Sequence, residues 1–214
     1  MLALFDLDGT LTRHDTLARY LCGFLREHPQ RWRRIPGALP SLARYALAKS
    51  DRGQLKSAWI AAILGGSTRA ALAEWTARFV PQLLARGLFG DAVAALDGHR
   101  RAGDYLVLLS ASPDLYVPAI GRALGFAETV CTGVDWVGER LTGKLTTANR
   151  RGVEKARCLA ALRSQHPQLP IVAYANAASD LAHLALADRG VLVNGSRRTR
   201  GQAARLDLSC VTWR

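Results

Sequence analysis

Apolar residues follow two different periods along the chain. From residue 14 to residue 98 they recur at three- and four-residue steps with few breaks, which predicts a nearly continuous run of helices. Outside this stretch they form short runs at positions 2–7, 105–109, 171–174 and 191–193, each short enough for a buried strand. Residues 129–146 alternate loosely around glycines, which indicates a small extended or hairpin excursion, and residues 152–163 predict a helix.

Strands separated by helices indicate a fold class. We expect an α/β protein with a Rossmann-like, mostly parallel sheet that carries helices on both faces. The long helical stretch interrupts this pattern directly after the first strand, as an inserted cap domain would. We therefore expect a core of residues 1–13 and 99–214 and a helical cap of residues 14–98.

Polar residues follow the ends of three predicted strands. Asp6 and Asp8 end the first run, Ser110 follows the second, and the segment 176–180 follows the third. Ligands of an open parallel sheet bind beyond the carboxyl ends of its strands. The three polar groups, far apart in sequence, are therefore expected to meet at one edge of the sheet.

The two aspartates at the end of the first strand are themselves informative. Because Asp6 and Asp8 are two positions apart, a strand points their side chains to the same side. Two close carboxylates repel unless a proton or a cation lies between them, and Mg²⁺ is a cation that prefers such oxygen ligands. A carboxylate can also act as a nucleophile while its neighbour transfers a proton. Taken alone, the pair is better explained as an ordinary turn or cap at a strand end, where aspartate is common.

Four sequence motifs together resemble those of one enzyme family. Their sequences are Phe-Asp-Leu-Asp-Gly-Thr-Leu-Thr at 5–12, Leu-Leu-Ser-Ala-Ser-Pro at 108–113, Asn-Arg-Arg-Gly-Val-Glu-Lys at 149–155 and Ala-Tyr-Ala-Asn-Ala-Ala-Ser-Asp-Leu at 173–181. In this order they resemble the motifs of the haloacid dehalogenase-like (HAD) superfamily. The helices between the first and second motifs resemble the type-one cap of its phosphoserine phosphatase-like branch, subfamily IB.

The resemblance implies catalytic roles for particular residues. It implies a Mg²⁺-dependent phosphatase that hydrolyses a phosphate monoester through an aspartyl-phosphate on Asp6, with Asp8 as the general acid and base. Ser110, Ala111 and backbone amides of the first motif would hold the phosphoryl oxygens. Lys155 would bind the same group and offset its charge, which is the main task in phosphoryl transfer.

The resemblance also implies a metal site with one departure from the family pattern. The Mg²⁺ ligands would be Asp6, Asp8, Asn176 and Asp180, where the family usually has an aspartate in place of Asn176. An amide offers an oxygen but no charge, so we expect weaker Mg²⁺ binding. One alternative is a weakened or inactive relative that binds phosphorylated ligands or an anionic surface, and another is a phosphotransferase.

The substrate is less strongly indicated than the reaction. Asp15 lies where phosphoserine phosphatases have an acidic residue that contacts the substrate amine, but it also suits the N-cap of the first cap helix, which we favour. The resemblance implies a small phosphorylated metabolite or a lipid-linked phosphate as the partner. No compact nucleic-acid-binding module is present, so no specific nucleic acid is expected.

Charge and cysteine content add to these expectations. The 214 residues carry a net charge of +12, with arginines concentrated at 26–34 and 197–200. This excess favours anions, although we prefer the alternative of an arginine-rich composition without a particular partner. Apolar residues among the arginines, namely Trp32, Ile35, Leu39, Leu42 and Tyr45, fit either peripheral contact with an anionic bilayer or, as we prefer, core packing of the cap.

The cellular compartment follows from what the sequence lacks. The four cysteines, Cys22, Cys131, Cys158 and Cys210, lie far apart and are expected to be unpaired core thiols. No apolar run approaches the ~20 residues of a membrane-spanning helix, and the N-terminal pattern does not match a signal peptide. We therefore expect a cytoplasmic protein.

Overall fold

A computed structural model describes all residues from 1 to 214. Six parallel strands form one sheet in the order β3-β2-β1-β6-β7-β8, and two further strands form an antiparallel hairpin. The strands of the sheet are β1 (Leu2–Phe5), β2 (Tyr105–Pro113), β3 (Glu128–Thr132), β6 (Ile171–Ala175), β7 (Arg189–Val193) and β8 (Ser209–Val211), and those of the hairpin are β4 (Val134–Val137) and β5 (Arg140–Leu145).

Nine α-helices accompany these strands. They are α1 (Thr16–Glu27), α2 (Leu39–Ala46), α3 (Arg52–Leu64), α4 (Arg69–Gly87), α5 (Gly90–Arg101), α6 (Val117–Ala123), α7 (Val153–Gln165), α8 (Leu181–Leu186) and α9 (Arg197–Ala204). Two 3₁₀ segments, Pro29–Ala38 and Ala178–Asp180, precede α2 and α8.

The central strand β1 explains why the sheet is covered on both faces. All four of its residues are buried, as expected for a strand inside a parallel sheet. Leu2 and Leu4 belong to the apolar cluster formed with α7, α8 and α9. Ala3 and Phe5 point the other way, into the cluster that includes α5, α6 and the helices inserted after β1. Alternating side chains of one strand thus hold two helical layers.

Two of the helices inserted between β1 and β2, α1 and α3, begin at aspartate capping residues. Asp15 accepts a hydrogen bond from the backbone of Ala18 at 2.8 Å, and Asp51 accepts one from Gln54 at 2.8 Å. These caps fix the starts of α1 and α3, because the first turn of a helix has free N–H groups. The favoured interpretation of Asp15 as a helix cap is therefore confirmed.

The β4–β5 hairpin packs directly on α3. Ser57 donates a hydrogen bond to the carbonyl of Gly143 at 2.9 Å. Gly143 has a φ of 89°, and a Cβ at this position would lie 2.4 Å from the Cα of Ala61. Only glycine permits this backbone conformation and this close approach. The hairpin is thereby held against the helix that also lines the candidate site.

The predicted strands and the fold class are confirmed, with one strand reassigned and one missed. The excursion at 129–146 is only partly a hairpin, because its beginning forms β3 of the main sheet. The edge strand β8 has three residues without a buried side chain, so it gave no apolar signal. The boundary between core and cap at residues 13/14 and 98/99 stays a prediction.

Two predictions about burial are wrong. Core packing does not explain Trp32, Leu39 and Leu42, which are 57%, 50% and 42% exposed. The segment Pro29–Ala38 is a 3₁₀ helix with an internal proline, and α2 after it buries none of its residues. Of the four free cysteines only Cys158 is buried, while Cys22 and Cys210 are exposed.

No helix in the structure has the length and apolar character needed to cross a bilayer.

Candidate active site

Strand register brings the predicted site residues to one edge of the sheet. Phe5 of β1 pairs with Leu108 of β2 and with Tyr174 of β6. One residue later, Asp6 therefore emerges between the ends of its two neighbouring strands. Ser110, in the last part of β2, and Asn176, which follows β6, lie at the same edge, as the topology of a parallel sheet requires.

Asp6 is the most constrained side chain of this edge. One carboxylate oxygen lies 2.6 Å from the ammonium of Lys155, and the other accepts a hydrogen bond from the Thr10 hydroxyl at 3.1 Å. Both Asp6 and Lys155 are almost fully buried. Burial raises the pKa of Asp6, and the positive charge of Lys155 opposes this rise. The carboxylate is thus fixed in orientation, with its charge partly offset.

Lys155 connects Asp6 with a second carboxylate. Its ammonium lies 3.2 Å from Asp180, which is 3% exposed. Burial by itself would lower the pKa of Lys155, but the attraction of Asp6 and Asp180 outweighs it and raises that pKa. One cation is therefore shared by two buried anions, which come from the ends of β1 and β6.

Asp8 has a different environment from Asp6. Its carboxylate accepts one hydrogen bond from the backbone of Thr16 at 2.6 Å and one from the Ser112 hydroxyl at 2.7 Å. Burial raises the pKa of Asp8 to about 6, against the lowering effect of these hydrogen bonds. A carboxyl that titrates near neutral pH suits a residue that donates and then accepts a proton.

The second motif forms the end of β2 beside the aspartates, where the pairing of β2 with β3 shifts register between Leu109 and Pro113. The Ser110 hydroxyl is completely buried and accepts a hydrogen bond from the backbone of Ser112 at 3.0 Å. The carbonyl of Ala111 accepts hydrogen bonds from Thr132 and from Lys56. Ala111 and Ser112 line the same cavity as Asp6 and Asp8, whereas the buried Ser110 does not line it.

Asn176 lies against the first motif. Gly9 has a φ of 78°, and a Cβ on it would come within 2.0 Å of the Asn176 amide nitrogen. Gly9 therefore permits the first motif to contact Asn176, which follows β6. Asp180 follows in a 3₁₀ turn, where it accepts a hydrogen bond from the backbone of Ala177 at 3.3 Å.

The oxygen atoms at this edge fit a hard divalent cation. Asp6, Asp180 and Asn176 offer side-chain oxygens in one cavity, and the main-chain carbonyl of Asp8 accepts no hydrogen bond from the protein. Two buried carboxylates, Asp6 and Asp180, share the charge of Lys155, so a further positive charge between them would be stabilised. No three Asp, Glu, His or Cys side chains form a complete cage. Mg²⁺ does not need one, because it usually keeps several waters.

Sequence reasoning missed Lys56, a residue of α3 that reaches this edge. Its ammonium donates hydrogen bonds to the Ala111 carbonyl and, at 2.6 Å, to the Asn149 side chain. Burial lowers the pKa of Lys56 to about 8, although Asp8 and Asp15 favour its charged form. In the sequence Lys56 is one lysine on an amphipathic helix, and no local signal distinguishes it from a solvated one.

This edge of the sheet opens into a cavity of about 690 Å³. Asp6, Asp8, Lys155, Asn176 and Asp180 all line it. Asp15, the N-cap residue at the start of α1, lines the cavity as well. The cavity otherwise extends between α1 and α3.

Comparisons with known proteins identify the family. The family model described as haloacid dehalogenase-like hydrolase matches residues 3–185, so the chain belongs to this family. Protein CicA of Caulobacter vibrioides is 32% identical over 212 residues, which are 95% of this chain and 89% of that protein. Phosphoserine phosphatase SerB1 of Mycobacterium tuberculosis is 28% identical, covering 94% of this chain and 67% of that protein.

A solved structure shows the same fold over the whole chain. A protein of unknown function from Bordetella pertussis has a TM-score of 0.82 and 24% identity, and the match covers 98% of this chain and 97% of that one. The resemblance to the phosphoserine phosphatase-like branch is confirmed, as is the prediction of an enzyme, a phosphatase-type hydrolase. The roles of individual residues stay predictions.

Proposed function

We propose that this chain is a Mg²⁺-dependent phosphatase that hydrolyses phosphate monoesters through an aspartyl-phosphate on Asp6. The observation that carries the proposal is the pairing of Asp6 with Lys155 at 2.6 Å, beside a second carboxylate, Asp8, whose pKa is raised to about 6. One carboxylate is oriented as a nucleophile and the other titrates as an acid and base. These are the two roles that a double-displacement reaction requires.

The first step transfers the phosphoryl group to the chain. A carboxylate oxygen of Asp6 attacks phosphorus, the bond from phosphorus to the ester oxygen breaks, and protonated Asp8 donates its proton to that leaving oxygen. The products are a free alcohol and an acyl phosphate on Asp6. Lys155 stabilises the negative charge on the transferring oxygens, because it is a fixed, buried cation next to the attacking atom.

The second step returns Asp6 to its starting state. Asp8, now ionised, removes a proton from a water molecule, whose oxygen attacks phosphorus and displaces the Asp6 carboxylate. Inorganic phosphate leaves and Asp8 is protonated again. The Ser112 hydroxyl and the Thr16 backbone hold the Asp8 carboxylate in place during both transfers.

A bound Mg²⁺ would be held by Asp6, Asp180, Asn176 and the Asp8 carbonyl. It would supply positive charge against the phosphoryl oxygens. Since Asn176 is uncharged, we expect the site to require more Mg²⁺ than one built with a third acidic residue. This residue also motivates the alternative function, a weakened or inactive relative that retains phosphate binding. The cytoplasmic location stays a prediction.

The experiment that tests the proposal measures phosphate release from 4-nitrophenyl phosphate with and without Mg²⁺. We expect activity that requires Mg²⁺ and is lost in Asp6→Asn. Asp97→Asn, an exposed aspartate of α5, is the matched control and should retain activity. If a broad panel of phosphoesters at high Mg²⁺ gave no phosphate, the alternative would replace the proposal. If an added alcohol accepted most of the phosphoryl groups, the chain would be a phosphotransferase.

A further inference from the structure

The walls of the cavity above the aspartates are largely apolar. More than half of the residues that line it are apolar. Two stripes with four-residue spacing supply six of them, and these are Leu17, Leu21 and Leu25 of α1 and Leu55, Trp59 and Ile63 of α3. Residues four apart lie on the same face of a helix, so each helix turns one apolar stripe towards the cavity.

The size of the cavity exceeds what a phosphate group requires. Pockets of about 300–1,000 Å³ bury drug-sized molecules, and this cavity measures about 690 Å³. An alcohol with many hydroxyl or amino groups would leave those groups without partners along the two apolar stripes, which costs free energy. A hydrocarbon chain would instead gain from burial on the same surface.

We propose that the alcohol part of the substrate carries a long hydrocarbon chain, as in a lipid phosphate monoester, and that this chain lies between α1 and α3. The inference rests on the proposed phosphatase function and adds the class of substrate. The phosphate occupies the polar end of the cavity at Asp6 and Lys155. The hydrocarbon occupies the apolar end, which continues to Trp32.

The surface around Trp32 indicates the source of this substrate. Trp32 lines the cavity and is 57% exposed, and Leu39, Leu42 and Leu47, which follow it in the chain, are 50%, 42% and 66% exposed. Solvent-exposed tryptophan and leucine side chains among basic residues are typical of surfaces that insert into the interface of a bilayer. The substrate therefore enters from a bilayer rather than from solution.

The charge of the same segment specifies an anionic bilayer. Residues 28–50 contain five lysines and arginines and no acidic residue. Arg31 and Arg34 are engaged, since both donate to the carbonyl of Gly65. Arg33 and Arg44 are exposed and form no ion pair with the protein. They remain available for lipid phosphates, because basic side chains close to an anionic membrane surface are attracted to it.

A series of alkyl phosphates tests the substrate class. We expect kcat/KM to rise from butyl to octyl to dodecyl phosphate, by up to about fourfold per methylene group until the cavity is full. A flat or falling series, with 4-nitrophenyl phosphate hydrolysed, would overturn this inference and leave the phosphatase function standing. Calorimetry without Mg²⁺ provides a readout that does not depend on turnover. Dodecyl phosphate should bind more tightly than butyl phosphate, and equal affinities would overturn the inference.

A polar substitution in the cavity wall gives the matched test. Leu55 lines the cavity but belongs to neither apolar core cluster, so Leu55→Gln should fold normally. We expect it to lower kcat/KM for dodecyl phosphate about tenfold and to leave butyl phosphate within about twofold. Leu206→Gln, at an exposed leucine outside the cavity, should change neither value. Equal losses for both substrates would contradict a hydrocarbon site at Leu55.

Vesicle sedimentation tests the bilayer as the source. The protein should sediment with vesicles of phosphatidylcholine and phosphatidylglycerol in equal amounts, and much less with phosphatidylcholine alone. The double variants Trp32→Gln/Leu42→Gln and Arg33→Gln/Arg44→Gln should each weaken this binding. Val137→Gln, at a 71% exposed residue of β4, should not. Absence of binding, or equal binding to both vesicles, would overturn the bilayer as the source.

Discussion

Replacing Lys155 by methionine isolates the charge that holds the candidate site together. Methionine keeps a long, flexible side chain and removes only the ammonium. In the variant two buried carboxylates, Asp6 and Asp180, lose the cation that lies 2.6 Å and 3.2 Å from them. The structure therefore predicts a loss of stability as well as a loss of activity.

The size of the stability loss follows from two opposing contributions, the attraction between the charges and the cost of removing them from water. At an effective dielectric constant of ~20, the two attractions amount to about 6 and 5 kcal/mol. Removing the three charged groups from water costs several kcal/mol each, which offsets most of this. Breaking such a pair while its partner stays buried typically costs about 3–5 kcal/mol. We expect Lys155→Met to lower the free energy of unfolding at pH 7 by that amount.

Urea unfolding without Mg²⁺ measures this loss, and pH provides an internal check. Without Lys155 the pKa of Asp6 should rise further, so protonation relieves the penalty as the pH falls. The difference from the wild type should therefore shrink between pH 7 and pH 4. Lys144→Met, at an exposed lysine of β5, is the control and should stay within about 0.5 kcal/mol of the wild type. If Lys155→Met matched this control, or if the loss did not change with pH, the reasoning would be refuted.

Three further predictions concern the other site residues. Burial raises the pKa of Asp8 to about 6, above its usual 3.8, so ionised Asp8 destabilises the fold as the pH rises through that range. Asp8→Asn should raise the free energy of unfolding at pH 7 by up to about 3 kcal/mol and abolish turnover. Urea unfolding measures the first effect, and a variant no more stable than the wild type would contradict it. Ser112→Ala removes a hydrogen bond that favours ionised Asp8, so the decline of kcat/KM at high pH should move upward by about one pH unit; an unmoved or lowered profile would contradict it. Asn176→Asp adds a charged ligand and should reduce the Mg²⁺ concentration for half-maximal activity about tenfold. A Mg²⁺ titration of phosphate release measures this concentration, and an unchanged value would contradict the prediction.

The sheet and the carboxylate edge could be predicted because each has a local signature. Strands buried on both faces appear as short apolar runs, and β1, β2, β6 and β7 all do. Polar residues directly after such runs are brought together by parallel topology alone. The meeting of Asp6 and Lys155, 149 positions apart, was predicted from the resemblance alone, because Lys155 lies on a helix and not at a strand end.

The contributions of the inserted helices could not be predicted in the same way. Lys56 reaches the site because α3 packs with one particular face towards β2, and helical periodicity does not specify that orientation. The exposure of Trp32 and Leu42 depends on the 3₁₀ segment, where Pro36 interrupts the regular amphipathic pattern. A periodic apolar stripe predicts a covered face, but the tertiary structure decides which stripe is covered.

The most direct test of the central claim is the detection of the phosphoryl group on Asp6. The protein would be mixed with 4-nitrophenyl phosphate and Mg²⁺, quenched in acid within one turnover, digested and analysed by mass spectrometry. The account predicts one added phosphoryl group on the peptide that begins the chain, located at Asp6 by reduction of the acyl phosphate with borohydride, and no such product in Asp6→Asn. Turnover without any labelled Asp6, or a phosphoryl group on another residue, would contradict it.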